Sequence, residues 1–367
     1  MNRLVVYILI SFISSTYLLA QSVRVVASLP DNLKENSGMV SYDTGILYFI
    51  NDGGNPAELH RFDTFTEQYS TIRVTKTTNV DWEDLAKDNA GRLFIGDFGN
   101  NENNRRDLKI YKVPNPETRE NDTLIAETIY FSYENQLAFP PDEIELNFDC
   151  EAMIWYKDSL YLFSKNRTKP FDGWCYMYVL PDKPGAYEAK LRDKIQLDAI
   201  SKEYGWITAA DIIDDTLALL SSSKVSIAGG FLTNDLAELE WNEYNVGVSQ
   251  KEAVAFGANA KDVFISDELF IIGNKLYLLD IELHEASLYF VNYPSFKVWQ
   301  TGSSIHLKLK KKEQAMVNVY SIMGEEVYTA PFLDDLYMDN EDLVPGNYII
   351  HVKVSGENYS FRWTKTE

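Results

Sequence analysis

One hairpin pattern recurs five times in the chain, and that recurrence limits the fold more than any other feature. One column of positions reads Ser37, Glu83, Glu151, Thr208 and Glu252. A second reads Asp52, Asp97, Lys165, Ser222 and Asp267. Within each unit the two columns stand 14 or 15 residues apart, with two short alternating apolar runs between them. A turn sits at every midpoint: Asp43-Thr44-Gly45, Asn89-Ala90-Gly91, Asp158, Asp214-Asp215 and Asn259-Ala260. Period-two alternation bounded by turn residues predicts strands, and a hairpin folded at each midpoint brings the two columns side by side. The units recur after 46, 68, 57 and 44 residues, which leaves room for outer strands such as ELHRFD, QYSTIRV and CYMYVL. Repeats of this size predict an all-β fold, a β-propeller of five blades. A sixth blade fits only if the 68-residue interval hides a degenerate one. A plain β-sandwich is the rival fold, but it gives no reason for the same two columns to repeat. The early run VRVVAS is placed to supply the last blade's outer strand and close the ring.

Aromatic residues make up 13% of the 367-residue chain and formal net charge is −21, so the fold has ample core material and an acidic surface. That charge repels nucleic acid and anionic membranes. The first twenty residues, MNRLVVYILISFISSTYLLA, have the basic start, apolar run and small terminal residue of a secretory signal peptide; an uncleaved anchor is the competing reading. No later segment is long and apolar enough to span a bilayer, so no integral membrane segment is expected after cleavage. The expected location is secreted or cell-surface. Cys150 and Cys175 are too few for a disulfide scaffold or a zinc set and are expected as buried small side chains, with a disulfide between them as the lesser alternative.

In a propeller the innermost strands line a central channel, so the two columns should collect at one channel mouth. Glu83, Glu151, Glu252, Asp52, Asp97 and Asp267 would then meet there against one cation, Lys165. Glu83 is expected opposite Asp97, and Glu252 opposite Asp267. Like charges held opposite one another are costly, and a hard cation with oxygen ligands relieves them. Ca²⁺ is therefore the expected cofactor, with those six carboxylates as candidate ligands. Four histidines in the whole chain argue against a His-based zinc or iron centre. The structural alternative is equally concrete: Asp and Asn end strands as turn caps, and Glu151 with Lys165 makes a cross-strand ion pair. Arg105 and Arg106 read as a solvated loop beside the rim. Asp97-Phe98-Gly99 lacks the partners of a kinase signature.

Beyond Pro294 the composition changes to a Lys-rich run followed by turn-rich strands. Residues Val319-Tyr320-Ser321-Ile322-Met323-Gly324, then Val327-Tyr328, Leu343, Pro345-Gly346-Asn347-Tyr348 and alternating Ile350 and Val352 carry a resemblance. The segment looks like the C-terminal type A sorting domain of the type IX secretion system of Bacteroidota. The resemblance implies a small β-sandwich, recognition by the secretion machinery as partner, and removal on export. The expected organisation is thus a signal peptide at 1–20, a propeller at 21–293, a linker at 294–299 and a sorting domain at 300–367. Separately, the starts Glu83-Asp84-Leu85-Ala86, Glu151-Ala152-Met153 and Glu252-Ala253-Val254 resemble blade starts of calcium-binding gluconolactonase and phytase-like propellers. That resemblance implies Glu83, Glu151 and Glu252 as rim carboxylates, with Asp97 and Asp267 nearby. Two functions follow. One is an exported module that binds Ca²⁺ or a small-molecule, glycan or protein ligand. The alternative is a metal-dependent hydrolase of lactones or phosphate esters, with Glu83 and Glu151 as catalytic carboxylates.

Overall fold

Each repeat folds into an antiparallel sheet whose first strand lies innermost. The computed structural model describes residues 22–43, 45–198, 200–231, 234–258, 260–269, 273–281, 291–292, 295–301, 304–338, 343–344 and 346–365. The segment expected as a signal peptide lies outside them. Blade 1 comprises Asn36–Asp43, Ile46–Asn51, Glu58–Asp63 and Tyr69–Thr75. A short strand, Thr123–Ile125, adds to its outer edge in parallel. Blade 2 comprises Trp82–Lys87, Leu93–Asp97, Lys109–Val113 and Glu127–Tyr133. Blade 3 comprises Asp149–Tyr156, Ser159–Lys165, Trp174–Pro181 and Gly185–Gln196, and its outer strand pairs in parallel with that of blade 2. Blade 4 comprises Ile207–Ile213, Thr216–Ser221, Lys224–Ala228 and Asn242–Asn245.

Blade 5 is built from both ends of the domain. Lys251–Phe256, Asp262–Asp267 and Lys275–Asp280 come from its C-terminal part, and Ser22–Ser28 completes the sheet. The pairing runs from Ser22 opposite Asp280 to Ser28 opposite Lys275. The N-terminal strand therefore closes the ring as expected, and no blade edge is left open at the seam. The five innermost strands neighbour one another in sequence order, and the fifth neighbours the first. The described residues thus form five blades. The long interval before Glu151 holds the outer half of blade 2, the extra strand on blade 1 and the loop before Asp149, not a sixth blade.

The hairpins differ from the expected register in one consistent way. In every innermost strand the pairing slips by one residue, and the residue skipped is Ser37, Glu83, Glu151, Thr208 or Glu252. The first column is therefore a ring of β-bulges, a device that frees a side chain from the pleat and re-aims it. The bulge also corrects the second column. The residues opposite the position just before each bulge are Asn51, Asp97, Ser164, Ser221 and Asp267. Asp52, Lys165 and Ser222 lie one residue farther along.

Much of the packing between blades is apolar. Trp82, Tyr48, Ile95 and Leu59 share one cluster, and Phe94, Met153, Leu162 and Tyr178 share the next. Cys150 and Cys175 are buried free thiols.

The first compact unit ends at Ile281, and a second runs from Glu282. The second is an all-β sandwich of two four-stranded sheets. Phe296–Thr301 and Ser304–Leu309 centre one sheet; Ala315–Ser321 and Gly346–Val354 centre the other. Alternate residues Val317, Val319, Ile350, Val352 and Trp363 face a core with Phe296, Ile305 and Leu307. The strand Phe296–Thr301 of this sandwich overlaps the segment expected as a linker, 294–299. Gly324 makes the turn after Ser321 at φ 84°, a conformation that suits glycine.

Candidate functional site

The bulges decide which first-column side chains reach the mouth. Ser37 and Thr208 are consumed locally. Ser37 Oγ donates to the Trp82 carbonyl at 2.9 Å, and Thr208 Oγ1 to the Lys251 carbonyl at 2.7 Å. Each hydroxyl thus ties its blade to the residue just before the next blade's bulge. Among the described residues Glu83, Glu151 and Glu252 form no such bond to the next blade.

Glu83 meets Asp52 and Asp81. One carboxylate oxygen from each of the three lies within 4.8 Å of the other two. Among the described residues none of the three forms a salt bridge, while Arg105, Lys109, Lys165 and Arg167 pair with other carboxylates nearby. Two loops press against the group. A Cβ on Gly99 would stand 2.1 Å from Glu83 Oε1 and 2.4 Å from Asp81 Oδ2, and one on Gly53 would stand 2.6 Å from Asp81 Oδ1. Both positions follow the second strand of their hairpins by the same number of residues, so the two loops are equivalent. Their glycines are required for close approach; in the blade 1 loop it is Gly54, at φ 83°, that takes the left-handed turn. Burial pushes the Asp81 carboxyl up to about 6, and Asp52 adds to the shift. Burial, then Glu151, Asp52 and Asp81, raises Glu83 well above the usual carboxylate range. Burial also raises Asp52, against the Gly53 N–H that bonds its carboxylate.

The remaining candidates are placed differently. Glu151 is clamped: Lys165 Nζ bonds Oε2, and Arg167 Nη2 bonds Oε1 at 2.9 Å. Burial raises its carboxyl, but a cation on each oxygen holds it as an ion pair. Lys165 and Arg167 lie over the Trp206 ring, 5.4 Å and 4.8 Å from its centroid. Glu252 feels burial first, then the opposing pull of Lys165.

Asp97 and Asp267 leave the expected ligand set. Asp97 stands opposite Trp82, not Glu83. Its Oδ1 accepts from Arg105 Nη2 at 2.9 Å and from the Asp81 N–H at 3.2 Å. Asp267 stands opposite Lys251. It accepts from the Lys275 N–H at 2.9 Å, and from Ser249 Oγ and Tyr277 OH at 2.8 Å each. The bulge displaces the glutamates, so the like-charge pairs expected across the hairpins do not form. Arg105 is no solvated loop residue either. Its nitrogens bind Asp107, the Gly99 carbonyl and Asp97, which fixes the loop that faces Glu83.

Asp81 and Asp84 are among the carboxylates that escaped the sequence reading. Asp81 precedes Glu83 by two residues, on the loop side of Trp82, and the column pattern does not include it. Asp84 is fully buried: Oδ2 accepts from the Met153 N–H at 2.7 Å and the Ala210 N–H at 3.3 Å, in the innermost strands of blades 3 and 4. No sequence signal separates that bridge from a strand-end acid.

No protein-family model matches the sequence, and no curated protein matches it. Solved structures match at low identity. One is the PQQ-bound aldose sugar dehydrogenase of Streptomyces coelicolor: 10% identity, 71% of this chain and 97% of that chain covered, TM-score 0.44. Another is the allergen Mala s 1 of Malassezia sympodialis: 11% identity, 70% and 95% covered, TM-score 0.45. A third is PorZ, a surface component of the type-IX secretion system of Porphyromonas gingivalis: 10% identity, 90% and 45% covered, TM-score 0.34. At TM-scores below 0.5 these likenesses carry no argument about the site, and the propeller assignment rests on the strand pairing above.

Proposed function

We propose that the protein is an exported binding propeller whose mouth holds Ca²⁺ between Asp52, Asp81 and Glu83, with the C-terminal sandwich serving type IX secretion. The observation that carries the cation is the meeting of three carboxylates that, among the described residues, form no salt bridge with a lysine or arginine. The donor set is oxygen alone, which suits a hard cation and excludes a thiolate or imidazole centre. Ca²⁺ takes about six to eight oxygens, so three carboxylates leave positions for water and for oxygens of a bound ligand. The chain's own residues do the positioning: Gly53 and Gly99 let two loops close on Asp81, and Arg105 fixes the second of them. Glu151, held by two cations, is poorly disposed to act as a general base, so binding is favoured over hydrolysis. The sandwich fold supports the sorting assignment, whose specific basis is the resemblance around Ser321–Gly324 and Gly346–Tyr348.

Thermal melting at neutral pH in excess Ca²⁺ and in chelator tests the cation. A ligand at about one hundred times its dissociation constant stabilises by ~2.7 kcal/mol, a shift of several degrees for a domain of this size. The Asp81→Asn chain should show no such shift. Equal melting of the unsubstituted protein in both buffers would contradict the proposal.

A further inference from the structure

A cavity of about 140 Å³ lies between blades 3 and 4. Tyr161 lines it from a place beside the first hairpin turn of blade 3, so the cavity lies toward the end opposite the bulges of the mouth. Met177, Phe231 and Leu236 are buried and form its apolar wall, and Tyr161 meets the Phe231 ring edge-on at 5.3 Å. The chain around Phe231 and Leu236 is pinned in place. The Phe231 N–H donates to the Asp215 carbonyl at 3.1 Å, and the Leu236 N–H to Asp193 Oδ2 at 2.6 Å.

Two charged side chains also line the cavity, Arg192 and Asp235. Among the described residues neither side chain forms a salt bridge or a hydrogen bond. Arg192 is placed by a bulge. In the outer strand of blade 3, Asp193 stands opposite Met177 and Leu191 opposite Tyr178, so the pairing skips Arg192. A bulge of this kind re-aims the side chain it carries. Burial raises the Tyr161 hydroxyl and the Arg192 charge opposes that shift, which sets the guanidinium near the Tyr161 ring. Asp235 stands at the N-cap of the short turn Leu236–Glu238, where an Asp ordinarily accepts a backbone N–H. Its carboxylate makes no such bond. Opposite charges that border one cavity without closing on each other suit a ligand that carries both complements.

We propose that this cavity binds a free aromatic α-amino acid, its ring against Tyr161 and Phe231, its carboxylate on Arg192 and its ammonium on Asp235. A guanidinium takes a carboxylate through two parallel N–H···O bonds. Edge-on ring contacts add specificity to the area they bury. A cavity of about 150 Å³ holds one benzene-sized ring, so the volume admits a single amino acid and not a peptide. A neutral sugar would leave both charges without a counter-ion. None of these residues belongs to the mouth, so the site stands apart from the Ca²⁺ reading.

The test is a calorimetric titration of the purified full chain with L-phenylalanine, in chelator so that the outcome is independent of Ca²⁺. One saturable site per chain is expected. Hydrocinnamate lacks the ammonium, phenethylamine lacks the carboxylate and L-alanine lacks the ring. Each should bind about tenfold more weakly or worse. Arg192→Ala and Asp235→Asn should each weaken L-phenylalanine by a similar factor. Both side chains are exposed and unpartnered among the described residues, so neither change should lower the melting temperature. No binding of L-phenylalanine, equal binding of an analogue that lacks one charge, or equal binding by the substituted chains would overturn the proposal. Saturable binding of D-glucose in place of L-phenylalanine would assign the cavity to a neutral sugar and likewise overturn it.

Discussion

Gly53 and Gly99 face the same carboxylate, Asp81, from two equivalent loops. A methyl group at either place collides with an oxygen that the cation site needs. Gly99→Ala should therefore lower Ca²⁺ affinity about tenfold or more and cost ~1–3 kcal/mol of stability as the loop shifts. Calorimetric titration and chemical denaturation read the two effects separately. Thr208→Val removes the hydroxyl that satisfies the buried Lys251 carbonyl and should cost ~1–3 kcal/mol by urea denaturation. Glu83 and Asp52 were legible as candidates because acid residues recur at the two column positions in four of the five units, with a spacing that a hairpin explains. Asp81 was not, because its place depends on two glycines in different blades. Asp97 and Asp267 read the same as Glu83 in sequence, and only their cation and hydroxyl partners set them apart.

At the scale of the strand, the five-fold hairpin pattern and the closing N-terminal strand were both readable, since each rests on alternation and on turn residues. The register was not. A bulge changes the column spacing by one residue, within the variation already produced by turn length. Its consequence is large, because it takes Glu83 from a position opposite Asp97 to one beside Asp52 and Asp81. Asp84 shows what couples the innermost strands to each other. Its carboxylate accepts N–H groups from blades 3 and 4 as well as from Leu85 in its own blade. Asp84→Ala leaves those donors buried and unpaired, and should destabilise the propeller by ~3 kcal/mol or more. The expected readout is a lower denaturation midpoint with an unchanged slope.

For the molecule as a whole, the raised buried acids favour folding as pH falls, opposed by His60, which burial lowers to about 4. Asp81 and Asp211 are raised to about 6, and Glu268 to about 7, with burial as the first cause in each. A carboxyl raised on folding binds more protons in the native than in the unfolded state between the two pKa values. Its ionisation opposes folding, so stability should rise as pH falls from about 7.5 toward about 5 in chelator. Saturating Ca²⁺ should flatten that slope by keeping Asp81 and its neighbours ionised. Melting temperatures across this range, with and without the ion, check the prediction; a slope unchanged by Ca²⁺ would count against it. Export gives an independent test at the same scale. Deleting residues 282–367 should leave the propeller in the periplasm, and cell fractionation would show normal release if the sandwich had no sorting role.

The most direct measurement is a calorimetric Ca²⁺ titration of the purified full chain beside its Glu83→Gln and Asp97→Asn forms. The account predicts one saturable site per chain, lost in Glu83→Gln and retained in Asp97→Asn. No saturable binding, or binding that survives Glu83→Gln unchanged, would contradict it.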